Sequence, residues 1–195
     1  MSNITYSDSF KQYSLYNGKK NEKGFYLSIL EKIDLIVDDA LVNFEVPMVA
    51  HFIIEQPINY RINQSVKRII SNEAKIRNID TPKFYYISVI ERKRKGALVH
   101  QHLIIVLDKG DYDFYKKISF ELRKFSSNSK VKLAKRKYSD RPISIDNDTG
   151  EIRMMGSAYF HNLRWETPDA FQRLSYIAKV ETKLSPKFSS SRLTN

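Results

Sequence analysis

Apolar residues recur with helical spacing from Phe25 to Leu41. Phe25, Ile29, Leu30, Ile33, Ile36, Val37, Ala40 and Leu41 line one side, while Lys32, Asp34 and Asp38 point outward. Pro47 breaks the pattern, and Met48 to Ile54 is short and almost continuously apolar, which predicts a buried strand ended by Pro57. The helical pattern resumes over 63–77 through Val66, Ile69, Ile70 and Ala74, with Lys67, Arg68 and Lys75 outside. Asp80-Thr81-Pro82 marks a turn. Phe84 to Glu91, rich in aromatic and β-branched residues, reads as a strand, and Leu98 to Leu107 as the next and most apolar one. Tyr112 to Phe125 predicts a helix closed by Ser126-Ser127-Asn128-Ser129. Val131 and Leu133 alternate with Lys130, Lys132 and Lys135, the pattern of a short strand with one basic face, and 138–150 reads as a loop or hairpin. Thr167 as N-cap and Pro168 in the first turn predict a last helix running to about Val180.

The order helix, strand, helix, strand, strand, helix, strand, loop, helix describes one α+β domain with a central, mainly antiparallel β-sheet flanked by helices. Residues 1–20 are polar and predict a loosely held N-terminal arm, 21–184 the folded domain, and 185–195 a disordered Ser- and Lys-rich tail. No internal repeat is visible.

Composition narrows the class. Hydrophobic residues make up 42% of the chain, enough for a globular core. The chain contains no cysteine, which excludes disulfides and thiolate metal sites and fits a reducing cytosol. The longest strongly apolar run, Val46 to Ile54, falls far short of the ~20 residues that span a bilayer, and the polar N-terminus has no signal-peptide core. A soluble cytoplasmic protein is expected. A net charge of +11, from 33 Lys+Arg against 22 Asp+Glu, favours a polyanionic partner, nucleic acid before an anionic membrane.

Candidate chemistry begins with His100 and His102, two apart in a predicted strand and therefore on one face. If Lys95-Gly96 makes a two-residue hairpin turn, Glu91 falls opposite His100, with side chains about 5 Å apart. His102 then pairs with Val89, diagonal to Glu91. Two imidazoles and a carboxylate on one patch suit a divalent ion such as Mn²⁺, Mg²⁺ or Zn²⁺, with positions left open for substrate oxygens. Mn²⁺ or Mg²⁺ is the cofactor expected. The same pair also fits two hydrogen-bonded structural histidines. On the last predicted helix, Tyr176 and Lys179 lie three apart and share a face. A phenol with a pKa near 10 attacks poorly at neutral pH unless a cation or a polarised phosphate assists it. The alternative is a core tyrosine beside a solvated lysine.

A His-x-His strand followed far downstream by Tyr-x-x-Lys resembles the HUH endonucleases. The wording is similar to that of the filamentous-phage (inovirus) gene-two-type rolling-circle replication initiators and their prophage relatives. The residues that carry the likeness are Glu91, Val99-His100-Gln101-His102-Leu103-Ile104, Tyr159-Phe160-His161-Asn162-Leu163-Arg164 and Arg173-Leu174-Ser175-Tyr176-Ile177-Ala178-Lys179-Val180, with Thr182-Lys183 after them. Met48 to Ile54 stands where HUH domains carry their first-strand motif. The likeness covers roughly residues 25–187.

The resemblance implies His100 and His102 as paired metal ligands, Glu91 as third ligand, Tyr176 as nucleophile and Lys179 as its polar helper. It implies a site-specific nick in one DNA strand at a single-stranded or hairpin origin, a 5′-phosphotyrosine link and a free 3′-hydroxyl primer. A host helicase and polymerase are the further partners expected, with the protein a monomer or dimer. Gln101 departs from the bulkier or apolar residue usual between the two histidines, and it faces the other side of the strand. A single tyrosine in the motif does not support a two-tyrosine relay, and Tyr159 is too far upstream to share a helix face with Tyr176. His161 fits a structural or DNA-contact role. Phosphate contacts are expected from Arg92, Lys93, Arg94, Lys95, Lys130, Lys132, Lys135, Arg136, Lys137 and Arg173. Rival readings are a non-catalytic DNA-binding protein that keeps the fold, a metal nuclease that uses water, and a basic structural or membrane-surface protein.

Overall fold

The structure, a computed structural model, describes residues 4–16, 24–55, 62–92, 99–125, 131–133, 144–145, 152–153, 160–180 and 188–191. In chain order the elements are β1 (Ile4–Thr5), β2 (Ser9–Phe10), β3 (Tyr13–Ser14), β4 (Phe25–Tyr26), α1 (Leu27–Asn43), β5 (Pro47–Ile54), α2 (Ile62–Arg77), β6 (Phe84–Arg92), β7 (Val99–Asp108), α3 (Tyr112–Phe125), β8 (Val131–Leu133), β9 (Ser144–Ile145), β10 (Ile152–Arg153), β11 (Phe160–Asn162), α4 (Leu163–Leu174) and β12 (Phe188–Ser190). A 3₁₀ turn, Ser175–Ala178, follows α4 directly.

The central sheet runs β11-β5-β7-β6-β12, with β8 also on β5, and every pairing is antiparallel. Strands β11 and β8 share one edge of β5: β11 pairs Met48 to Ala50, and β8 pairs Phe52 to Ile54. The middle strand, β7, has neighbours on both edges and core on both faces. This is why Leu103 to Leu107 is unbroken apolar sequence and fully buried.

Alternation sorts the core into two layers. On one face Val49, Ile87, Val89, Ile104 and Val106 pack with the apolar stripe of α1 and with Leu163, Phe171 and Leu174 of α4. On the other, Ala50, Phe52, Leu103, Ile105 and Leu107 pack with α2 and α3 through Val66, Ile70, Phe114, Tyr115 and Ile118. The Tyr115 hydroxyl ties this layer to the sheet, donating to Met48 O at 2.6 Å and accepting from Leu107 N at 3.1 Å.

Four expectations from the sequence change. Residues 4–16 are not a loose arm, because their apolar residues find a place in the first core layer. Tyr13 and Leu15 are buried, and the Tyr13 ring stacks on Phe171 at 4.3 Å. Strand β1 pairs with β4, and this displaces the start of α1 from Phe25 to Leu27. Gly24 makes that pairing possible: its φ is +75°, and a Cβ there would lie 2.4 Å from Thr5 O.

The C-terminal region is likewise not wholly disordered. Phe188–Ser190 pairs with β6, and Phe188 packs against the first core layer. The last helix also begins earlier than its Thr167-Pro168 signal. Asn162 caps it, its Oδ1 accepting from Arg164 N at 2.9 Å. The chain then kinks at Glu166 (φ −122°, ψ 23°), so Pro168 falls at the start of the second segment, where its missing N–H matters little.

Candidate metal centre

The face of the sheet under α1 and α4 changes from apolar to polar along its length. Along β7 the sequence of same-face residues is Val106, Ile104, His102, His100. Along β6 it is Ile87, Val89, Glu91, and along β5 it is Val49, His51, Ile53. The first members of each series are core. Glu91, His100 and His102 gather at one end of the sheet, with His51 one step inward, opposite Ile104. Glu91 pairs with His100, and Val89 with His102, as the hairpin register predicts; the turn residues Lys95 and Gly96 lie outside the described residues.

Three ligand-type atoms converge there. His102 Nε2 lies 2.5 Å from Glu91 Oε2, His100 Nε2 lies 3.3 Å from the same oxygen, and the two Nε2 atoms are 3.1 Å apart. Metal–ligand bonds of about 2.0–2.2 Å at ordinary angles place ligand atoms about 3 Å apart. The two longer edges already have that spacing. The short third edge is a hydrogen bond that an ion would replace. Glu91, His100 and His102 form a group able to hold a metal ion. Glu91 and His102 are buried, whereas the His100 side chain keeps 15% of its surface, so the group opens to solvent on the His100 side. Glu91, with no exposure, is partnered within the group by the hydrogen bond between its Oε2 and His102 Nε2.

Behind this group stands His51, which was not singled out from the sequence. It is buried, and its Nε2 lies 2.8 Å from His102 Nδ1. Burial, then the neighbouring His102 and Arg173, pushes its pKa well below 6.5. Gln101, on the opposite face, donates to Ser88 Oγ at 2.6 Å and takes no part in the cluster.

Tyr176 faces the histidines. Its ring meets that of His102 edge-on, with centroids 5.5 Å apart. The backbone that delivers it is not the regular helix expected: the α-helix stops at Leu174, Tyr176 lies in the 3₁₀ turn, and Lys179 is already extended (φ −58°, ψ 133°). Ser175 contributes to this change, since its buried hydroxyl donates to Gln172 O at 2.7 Å and accepts from Tyr16 N at 2.8 Å. Tyr176 and Lys179 therefore do not stand on one α-helical face. Both instead meet Tyr16, which approaches from the N-terminal segment. The Tyr16 and Tyr176 rings are 5.1 Å apart, and the Lys179 ammonium and Arg173 guanidinium lie 5.3 and 5.8 Å from the Tyr16 centroid.

The remaining expected contacts divide. Arg173 is at the site through Tyr16. Arg92 ends β6 and Lys132 lies in β8 opposite Ile53. Lys93, Arg94, Lys95, Lys130, Lys135, Arg136 and Lys137, and also Tyr159, lie outside the described residues. His161 sits in β11, with its Nδ1 3.5 Å from Glu166 Oε2, apart from the metal group.

Fold and site together define an α+β domain with a two-nitrogen, one-oxygen cluster at one end of its sheet and a phenol beside it. Compared with protein-family models, with curated proteins and with solved structures, the chain matches none. Among the described residues, no helix is long and apolar enough to cross a membrane.

Proposed function

We propose that the chain is a metal-dependent DNA nickase and strand transferase of the HUH kind, which starts rolling-circle replication at a single-stranded or hairpin origin. The observation that carries the reading is the approach of Tyr176 to His102, whose Nε2 is one of three converging ligand atoms. The 3₁₀ turn that carries Tyr176 and strand β7 are far apart in sequence, and the contact brings the ring to the ligand group while it also packs against the first core layer.

Glu91 Oε2, His100 Nε2 and His102 Nε2 would hold Mn²⁺ or Mg²⁺, an ion that would supply Lewis-acid polarisation of the scissile phosphate and offset charge in the transition state. Arg173 brings positive charge to the same end of the sheet and holds the strand by its phosphates, while Lys179, buried beside Tyr16, serves Tyr176 as its polar helper. Aromatic rings there receive unstacked bases. Tyr176 Oη attacks phosphorus in line. An O–P bond to the tyrosine forms as the bond from phosphorus to the 3′ oxygen breaks. The phenolic proton passes through solvent to the departing oxygen, leaving a 5′-phosphotyrosine and a 3′-hydroxyl. The covalent link keeps the bond energy, so a later 3′-hydroxyl reseals the strand by the reverse displacement.

The test is an SDS-stable adduct between the protein and a labelled single-stranded oligonucleotide pool in Mn²⁺. Wild type forms it, Tyr176→Phe does not, and the double variant His100→Ala with His102→Ala loses it too. Cleavage without an adduct assigns the attack to water, and steeply salt-dependent binding without cleavage assigns the chain to a non-catalytic DNA-binding role.

A further inference from the structure

The pairing of β5 with β7 places His51 diagonally across from His102, on the same face and one step deeper into the core. A neutral imidazole has one N–H and one lone pair. His102 Nε2 points to Glu91 and His100, so to bind an ion it must offer its lone pair there. Its proton then sits on Nδ1, and 2.8 Å from that atom is His51 Nε2.

We propose that His51 is a positioning residue for the metal centre: its Nε2 lone pair accepts the Nδ1–H of His102 and so reserves His102 Nε2 for a divalent cation. The assignment rests on the reading of Glu91, His100 and His102 as metal ligands.

Two consequences follow from the identity of the acceptor. The His102 ring is held at a fixed angle, 41° to that of His51, rather than free to turn about its Cβ–Cγ bond. The acceptor is also an imidazole, where many metal-bound histidines lean on a carboxylate. Among the described residues, Glu91 is the one acid of the group. A cation held there retains more of its charge for a substrate oxygen.

The experiment titrates Mn²⁺ into the full chain by calorimetry, with wild type, His51→Phe and His51→Gln, and records the d–d spectrum of each with Co²⁺. Gln carries an oxygen near the place of Nε2 and Phe carries no acceptor. Loss of an outer partner of this kind weakens metal binding about 10–100-fold. His51→Phe is expected to show that loss with a shifted Co²⁺ spectrum, and His51→Gln to recover most of both. Where Phe does not fold, His51→Met supplies the same contrast with Gln. Wild type that binds no Mn²⁺ overturns the metal reading and this one with it. Wild type that binds, with variants of equal affinity and unchanged spectra, overturns the role of His51 alone, whatever happens to the melting temperature of the ion-free protein.

Discussion

The ring of Tyr16 meets the ring of Tyr176 almost at a right angle, 84°, with centroids 5.1 Å apart. The contact joins the N-terminal segment to the proposed nucleophile, and Ser175 fixes it by bonding the Tyr16 backbone. Such edge-to-face pairs contribute about 0.5–1.5 kcal/mol beyond burial, but their effect on placement is greater. Tyr16→Ala is expected to slow adduct formation about tenfold to a hundredfold, because small misplacements of a reacting group are costly. Single-turnover gel assays check this. Mn²⁺ affinity should stay at the wild-type value, since Tyr16 is not among the ligands.

Ion binding should also appear as stability. A ligand held by the folded chain alone adds about 2.7 kcal/mol at a concentration of 100 times Kd. Mn²⁺ is therefore expected to raise the melting temperature, and a chelator to reverse the rise. Glu91→Gln should abolish the shift, because the amide offers a far weaker ligand to a hard cation. Differential scanning fluorimetry with and without Mn²⁺ decides the matter, and an equal shift in Glu91→Gln would remove Glu91 from the ligand set.

Tyr115 gives a test of the fold that is independent of function. Its hydroxyl is buried and serves two strands at once, Met48 O on β5 and Leu107 N on β7. Burial raises the phenol pKa well above 10, so the hydroxyl stays a donor throughout the ordinary pH range. Tyr115→Phe leaves those backbone groups short of a partner and should cost about 1–3 kcal/mol. Urea denaturation measures it, and an unchanged midpoint would contradict the contact.

Alkaline pH should act through Tyr85. Burial, together with the hydrogen bond its hydroxyl donates to Asp39, pushes its pKa from 10.0 up to about 12. Below 10 the phenol is protonated in both states, and its contribution to stability is complete. Between 10 and about 12 the unfolded chain releases the proton while the folded one keeps it, so stability falls. Above 12 both states are ionised and the decline from this group ends. Tyr85→Phe is expected to be less stable than wild type at neutral pH and to lose this part of the alkaline slope, read from urea midpoints across the range. Parallel curves for the two proteins would refute the assignment.

How much of this was legible beforehand varied with the range of the interaction. Glu91, His100 and His102 lie on adjacent strands of one hairpin, so alternation and a short turn sufficed to bring them together. His51 could not be reached that way. Its significance depends on β5 lying beside β7 rather than beside β6, and no local pattern encodes that choice. The signal available was a lone histidine in an otherwise apolar strand, which is as often a satisfied core residue. Tyr16 was hidden by composition: Ser, Asn and Lys around it read as solvated chain, while Tyr13 and Leu15, spaced by two, carried the weak mark of a packed segment. The Thr167-Pro168 signal fell at the second segment of α4, but the non-helical residue there is Glu166, and the Thr167 hydroxyl donates to Leu163 O rather than capping. The signal gave no sign of the earlier cap at Asn162. The site's end of that helix tightens into a 3₁₀ turn because a buried serine bonds the backbone, a competition that residue spacing does not display.

The shared outer edge of β5 has a bearing on how this domain could be altered. Leu133 of β8 and Phe160 of β11 lie along the same border, whereas the ligands ride on the interior strands β6 and β7. The intervening polypeptide can thus be lengthened, shortened or exchanged without severing a single ladder between the ligand-bearing strands. In a family of such domains, that stretch of sequence is where length would vary first, leaving the cluster of imidazoles and acid in place while the surroundings diversify.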